Sequence, residues 1–302
     1  MKISAVVNTY NEEVNIDRCL SSLHSFADEI VLVDMGSTDK TTKIAKNYTN
    51  KIFTHPYTGF VEPARNFAIE KTTGDWVFLI DADEEITKDL KNLLLKLAKT
   101  SSKSFFRIPR KNIIFGKWIK HANWWPDYQI RFFKKGHISW SDKIHSVPLT
   151  RGEGLDLEAK VEHAIIHYNY QTISQYIDRL NRYTNIQAKE LYLNGYKFDW
   201  KDLISKPSHE FLSRFFQSRG YKDGWHGLAL SLLQSASMLV LYAKVWELEG
   251  FTEGKIDLVE VKKELNERGR QENYWSVEEK LQTDAPILSK LKLKLERKLT
   301  SS

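Results

Sequence analysis

Two aspartates one residue apart, Asp81 and Asp83, stand directly after the apolar run Trp76-Val77-Phe78-Leu79-Ile80. Carboxylates so spaced at the tip of a rigid strand can grip a divalent cation, Mn²⁺ or Mg²⁺, through hard oxygen ligands. Such a cation in turn binds a diphosphate. An isolated Asp81-Ala82-Asp83 triplet would be weak evidence, because most such triplets are solvated turns or helix caps. Its position after a buried run, facing two other polar run ends, is what gives it weight. Asp34 ends the run Glu29 to Asp34 and is followed by Met35-Gly36-Ser37-Thr38-Asp39. A carboxylate there can accept from a base N–H or a ribose hydroxyl. Thr9, Tyr10, Asn11 and Glu12 end the first run, and the Tyr10 ring could stack on a base. Arg65, early in a helical pattern, can pair with phosphate, although an ordinary surface ion pair explains it as well when taken alone.

These groups need a frame that brings run ends together. Ile3 to Asn8 reads as a buried strand, and Asn11 as the N-cap of a helix with Ile16, Leu20 and Leu23 on one face. Glu29 to Asp34 is a second strand, and Gly36 to Asp39 is a turn into a helix running through Tyr48. Lys51 to His55 is a third, shorter strand. Pro63 suits the first position of a helix to Lys71. Trp76 to Ile80 is apolar throughout, as expected of a strand buried on both faces. Thr87 caps a helix striped by Leu90, Leu93, Leu94 and Leu97. Strand and helix alternating in this way predict an α/β fold with a mostly parallel, doubly wound sheet, whose ligands gather at the carboxyl ends of the strands.

From Ser104 to Pro148 the pattern turns aromatic and β-like, and Val161 to Tyr168 reads as another strand. Helices follow over Ser174 to Asn194 and Ser208 to Gly250, and residues 251 to 302 read as a charged helical tail. The expected division is 1 to 170 for the sheet domain, 171 to 250 for a helical region, and 251 to 302 for the tail.

The 302 residues carry a formal charge of +6, a 12% aromatic share with nine Trp, and one cysteine. A single Cys19 excludes an intramolecular disulfide framework and a Cys-rich zinc site, and reads as packing. Basic and acidic residues are interleaved, which disfavours nucleic acid as the anionic partner. No secretory apolar segment follows Met1-Lys2, so the expectation is a cytoplasmic protein.

Asn8 to Glu13, Val33 to Asp39, Ala64-Arg65-Asn66 and Leu79 to Asp83 occur in the order seen in family 2 glycosyltransferases of the GT-A fold, and residues 1 to 100 resemble that family strongly. More loosely, Trp124 to Phe133 and Asp223-Gly224-Trp225-His226-Gly227 resemble the branch of bacterial lipopolysaccharide-core β-glucosyltransferases. The resemblance implies a GT-A, Rossmann-like sheet with a helical C-terminal extension, an inverting transfer, and a UDP-sugar donor, with glucose the best guess. It places Thr9, Tyr10, Glu12, Asp34, Arg65, Asp81 and Ala82 against the nucleotide-sugar. It places Asp81, Asp83 and a late histidine on the metal; His167 is the best-placed candidate and His163 the other. The implied acceptor is a lipid-linked or lipopolysaccharide-type glycan.

Inversion needs a base for the acceptor hydroxyl. The branch carries a His-Glu pair near positions 145 and 146, and here the pair reads His145-Ser146, without the carboxylate. The candidates are Asp127, flanked by the sugar-stacking Trp124 and Trp125, and His145. An ion pair with Arg131, four residues on, would give Asp127 a purely structural role.

Gly227 to Ala243 lacks any charge, and Phe211, Leu212, Phe215 and Phe216 lie upstream among Arg214, Arg219 and Lys222. This stretch suits either a helix on the inner face of an anionic membrane or a buried helix pair that closes the active site or forms a homodimer. Two other function classes stay open. A nucleotidyltransferase normally has a Gly-rich basic phosphate loop, which Asn8 to Glu13 lacks. A non-catalytic nucleotide-sugar-binding or membrane partner protein is kept open by Ser146.

Overall fold

The computed structural model describes residues 1–57, 61–140 and 148–282. The chain divides into two compact units, Met1–Trp118 with Trp125–Gln171, and Ile119–Trp124 with the chain from Thr172 onward. The first expected boundary, at 170, ignores the excursion at Ile119–Trp124.

The first unit begins with β1 (Ile3–Thr9), α1 (Ile16–Leu23), β2 (Glu29–Asp34), α2 (Thr41–Ala45), β3 (Ile52–Thr54), α3 (Glu62–Glu70), β4 (Trp76–Asp81), β5 (Glu84–Ile86) and α4 (Lys88–Thr100). It continues with β6 (Phe105–Ile114), β7 (Lys117–Trp118), β8 (Asp127–Lys134), β9 (Ile138–Ser139), β10 (Leu149–Thr150), β11 (Gly154–Asp156) and β12 (Ile165–Tyr170). The main sheet runs β3-β2-β1-β4-β8-β6-β12-β5. Strands β3, β2, β1 and β4 are mutually parallel, and β8 enters antiparallel to both β4 and β6. The mostly parallel sheet expected from the alternation is observed: the aromatic β-like stretch supplies an antiparallel wing of β8 and β7 on β6, while β12 and β11 pair with β6 in parallel again.

β1 and β2 are buried at every position, which is why they read as unbroken apolar runs. One face packs Ile16, Cys19, Leu20 and Leu23 of α1 and Leu90 and Leu94 of α4 against Ala5, Val7, Phe78 and Ile80. The other packs Ala64 and Ala68 of α3 against Val6, Val33 and Leu79. Trp76 stacks on Phe132 of β8 at 4.6 Å between ring centroids, tying the antiparallel wing to β4. Truncating a buried Phe of this kind costs about 3–5 kcal/mol. Thr87 accepts from Leu90 N at 3.2 Å, so it caps α4 as its sequence position predicts.

Three local expectations change. Asn11 is not an N-cap: its φ is +54°, and α1 starts four residues later behind Asn15. Asn11 instead accepts from Thr38 N at 2.8 Å, docking the loop after β1 onto the loop after β2. Pro63 lies at the second position of α3, because the N-cap is Val61. Val161–His163 is a 3₁₀ turn, and strand β12 begins at Ile165.

The second unit contains α5 (Ile173–Leu193), α6 (Asp202–Leu212), α7 (Trp225–Leu248) and α8 (Leu258–Gln282). The single helix expected over Ser208 to Gly250 is broken between Leu212 and Trp225. A π turn at Ser213–Gln217 and a 3₁₀ turn at Gly220–Asp223 intervene, with positive φ at Arg219 and Gly224. Asp223 holds the 119–124 excursion by accepting from Lys120 N at 3.1 Å and His121 N at 2.8 Å. A Cβ at Gly227 would lie 1.8 Å from the Gly220 carbonyl oxygen, so only glycine lets α7 close on that turn. These contacts give the Asp223-Gly224-Trp225-His226-Gly227 motif a structural reason.

By length and composition α7 is the one helix among the described residues that could cross a membrane. Trp225, Leu232 and Leu239, spaced by sevens along one face, are 86%, 52% and 44% exposed.

Candidate active site

Register places the polar strand ends side by side. Thr9 of β1 lies opposite Asp34 of β2, and Asn8 opposite Asp81 of β4. The carboxyl edge expected from the alternation is a continuous polar row. Asp34 is buried and accepts from Gly36 N and Ser37 N at 3.2 Å. Asp34 thus shares the holding of this turn with Asp39, which accepts from Thr41 N at 2.9 Å, and with Ser37, whose Oγ accepts from Asn11 N at 2.9 Å. The loop carrying Glu12 is fixed by Glu12 N donating to Thr41 Oγ1 at 2.8 Å, and the Glu12 carboxylate accepts from Asn15 Nδ2 at 2.8 Å. Tyr10 stacks on Tyr57, with centroids 4.1 Å apart. Thr9 is buried and its Oγ1 has no hydrogen-bond partner among the described residues.

Asp81 and Asp83 have different surroundings. Asp81 accepts from Arg65 at 3.3 Å and from Arg131 of β8. Arg131 is 2% exposed and also donates to Glu84 at 2.7 Å. Burial pushes the Asp81 carboxyl up, but the Arg131 and Arg65 charges outweigh it and hold the group well below the usual carboxylate range. Burial pulls the Arg131 guanidinium down, and Asp81 and Glu84 reverse that and raise it. Asp83 faces a histidine instead, with His167 Nε2 at 3.4 Å from its Oδ2. Ala82, between the two, is buried in the core.

A chain of polar contacts connects these two neighbourhoods through the sheet. Arg110 of β6 donates to Glu84 at 3.2 Å, and through Nε and Nη2 to Asp127 at 2.9 and 2.6 Å. Asn112 Nδ2 donates to Asp127 at 3.1 Å, and Asn112 Oδ1 meets His167 Nδ1 at 2.6 Å. The carboxylate fixes the amide, since only its NH₂ end can face Asp127. Its oxygen therefore faces His167, and Nδ1 must carry the proton. That leaves Nε2 directed at Asp83. A histidine that donates through one nitrogen to an oxygen and presents the other beside a carboxylate has the arrangement of a metal ligand.

One imidazole and one carboxylate are donors that would suit a borderline cation such as Mn²⁺. Three protein ligands do not cluster among the described residues. His163 lies in the 3₁₀ turn and not on the β12 face, so it does not join His167.

Asp127 accepts four hydrogen bonds, the fourth from Gln129 at 3.0 Å. Burial raises its carboxyl, but Arg110 and the hydrogen bonds from Asn112 and Gln129 outweigh this and keep it below the ordinary range. Its partner is Arg110, in register across β6 and β8, and not Arg131. Residues four apart on a strand share a face but lie about 13 Å apart, too far to pair. Trp125 packs edge-on against Trp118 at 5.4 Å, whereas Trp124 belongs to the second unit, with Arg214 5.8 Å from its ring. His145 and Ser146 lie outside the described residues. Cys19 is fully buried; burial and the nearby Glu84 and Asp83 charges raise its thiol, in keeping with a packing role.

Sequence reasoning missed Glu84, Arg110 and Asn112, and read Arg131 only as a partner for Asp127. The available signal was the charge inside Ile130-Arg131-Phe132-Phe133: an arginine in a buried strand needs carboxylates beside it.

The chain is 29% identical over 256 residues to an uncharacterized glycosyltransferase of Rickettsia typhi, covering 82% of this chain and 87% of that protein. It is 27% identical over 259 residues to the lipopolysaccharide core biosynthesis glycosyltransferase LpsC of Rhizobium meliloti, covering 82% and 93%. Among solved structures, S. aureus TarS 1-349 in complex with UDP aligns at 18% identity over 85% of this chain and 94% of that one, with a TM-score of 0.43. The model of glycosyl transferase family 2 matches residues 4–155. The chain, with its GT-A-like sheet, belongs to glycosyl transferase family 2.

Proposed function

We propose that this glycosyltransferase transfers a hexose, with glucose the first candidate, from a UDP-sugar to a hydroxyl of a lipid-linked or lipopolysaccharide-type glycan, with inversion. The observation that carries the reading is the His167–Asp83 pair at 3.4 Å, with Nδ1 of His167 tied to Asn112. Asp83 and His167 would hold Mn²⁺ or Mg²⁺, which when bound neutralises charge on the departing diphosphate. Arg65, at the start of α3, adds a second positive group near that charge. Asp81, kept ionised by Arg65 and Arg131, is suited to accept from a ribose hydroxyl and contributes little as a further metal ligand. Asp34, Glu12 and Thr9 line the nucleoside end.

The hydrogen bonds on Asp127 favour a positioning role, in which it holds Arg110 and Asn112. His145 is the remaining candidate for the base, since imidazole is the side-chain type most often used for proton transfer near neutrality. The similarity to LpsC supports the acceptor class. The exposed apolar stripe of α7 supports an acceptor carried in an anionic lipid surface.

The test is nucleoside diphosphate release from a panel of UDP-, GDP- and dTDP-sugars, with Mn²⁺ and with EDTA. UDP released only with the metal supports the reading; pyrophosphate release, or equal rates in EDTA, contradicts it. In the same assay Asp127→Asn and His145→Ala separate the base candidates, because loss of the base lowers kcat and leaves donor affinity intact.

A further inference from the structure

Asn8, the penultimate residue of β1, is 3% exposed, and neither Oδ1 nor Nδ2 of its amide has a hydrogen-bond partner among the described residues. Buried amides are almost always paired, because an unpaired one loses its hydration with no compensation. Valines occupy the two preceding positions, Val6 and Val7, and an apolar side chain would fill position 8 without that cost. The amide therefore calls for an explanation outside packing.

Register fixes where it points. Asn8 lies between Val33 of β2 and Asp81 of β4, and side chains in register on neighbouring parallel strands share a face of the sheet. That face carries Val6, Val33, Leu79 and Ala64 of α3, and from it Asp81 reaches Arg65. Arg65 Nε, also buried, lacks a partner among the described residues as well. A partnerless amide and a partnerless guanidinium nitrogen thus flank Asp81 at the carboxyl edge.

The chemistry of the amide narrows its ligand. Phosphate oxygens only accept, and would leave Oδ1 unpaired. A group that both gives and accepts a hydrogen bond satisfies both ends: a ribose hydroxyl or the imide edge of a pyrimidine. The geometry points to Asn8 as a nucleoside-recognition residue that pairs through both amide atoms with the nucleoside part of the donor. This rests on the proposal that the edge binds a UDP-sugar.

The experiment is calorimetric titration of UDP with Mn²⁺ into the full chain and into Asn8→Leu, which keeps the branched heavy-atom skeleton and removes both polar atoms. The expected result is a Kd weakened about tenfold together with a Tm that is unchanged or higher. Unchanged affinity overturns the inference and reduces the amide to a water-bound structural group. If Asn8→Leu does not fold, Asn8→Val, matching Val6 and Val7, replaces it. Failure of both to fold also overturns the inference, since the amide is then required by the fold. Titration with the 2′-deoxy and 3′-deoxy analogues of UDP separates the two contacts: a ribose contact makes wild type discriminate against one of them and the variant not, whereas an imide contact gives equal losses on all three ligands. If wild type binds no nucleoside diphosphate, the donor reading itself fails, a result distinct from equal binding by wild type and variant.

Discussion

The same parallel strands end in two different ways. At the amino edge, Glu29 of β2 accepts from Ser4 Oγ of β1 at 2.5 Å, from Thr73 N and Oγ1 at 2.5 and 2.9 Å, and from Lys51. Ser4 Oγ in turn accepts from Gly74 N at 2.8 Å. At the carboxyl edge, the Asn8 amide, Thr9 Oγ1 and Arg65 Nε are buried without partners among the described residues, and a histidine nitrogen faces a carboxylate. The backbone architecture is shared, so the fold does not require the unpaired edge. A closed polar network stabilises; an open one at the end of parallel strands is built for something that binds there.

The largest effect should come from opening the carboxyl edge further. Asp83→Ala is expected to lower metal-dependent UDP release about a thousandfold with a Tm close to wild type. A marked drop in Tm would make Asp83 structural and remove the contrast. Next in size, Arg131→Met leaves Asp81 and Glu84 close together without their shared cation. It should cost about 3–5 kcal/mol in chemical denaturation, against roughly 0–1 kcal/mol for breaking an exposed pair such as Arg107–Asp156.

Much of this edge can be read from the chain alone, because buried parallel strands are unbroken apolar runs and their polar ends stand out. Asp34, Asp81 and Asp83 were visible for that reason. Arg110, Asn112 and Glu84 were not, since each looks like ordinary surface polarity until the antiparallel wing sets its register. The Asp127–Arg110 pair depends on β6 and β8 being neighbours, a long-range fact that no local pattern encodes. Helix α7 was misjudged for the opposite reason. Its composition is locally helical throughout, and the break before it comes from Arg219, Gly224 and the close approach at Gly227.

A smaller and more selective effect is expected at Asn112. Asn112→Leu removes the group that sets the His167 tautomer, so Mn²⁺ affinity, followed by electron paramagnetic resonance, should weaken about ten- to a hundredfold. UDP binding without metal should be unaffected, and equal Mn²⁺ binding by the variant would contradict the role.

The amino edge supplies the control. Burial raises the Glu29 carboxyl, but the hydrogen bonds from Lys51, Ser4 and Thr73 dominate and lower it from an ordinary 4.5 to about 2. Its contribution to stability is therefore complete above about pH 5 and is lost as pH falls toward 2. Glu29→Gln should cost about 1–3 kcal/mol near neutrality, and the difference from wild type should shrink toward zero as pH approaches 2. Its kinetics toward donor should match wild type; a changed KM would blur the distinction between the two edges.

The most direct measurement is UDP titration into wild type and Asp83→Ala, each with and without Mn²⁺. Wild type should bind UDP at least tenfold more tightly with the metal, and the variant should bind it equally weakly in both conditions. Metal-enhanced UDP binding that survives in Asp83→Ala would contradict the placement of the cation between Asp83 and His167.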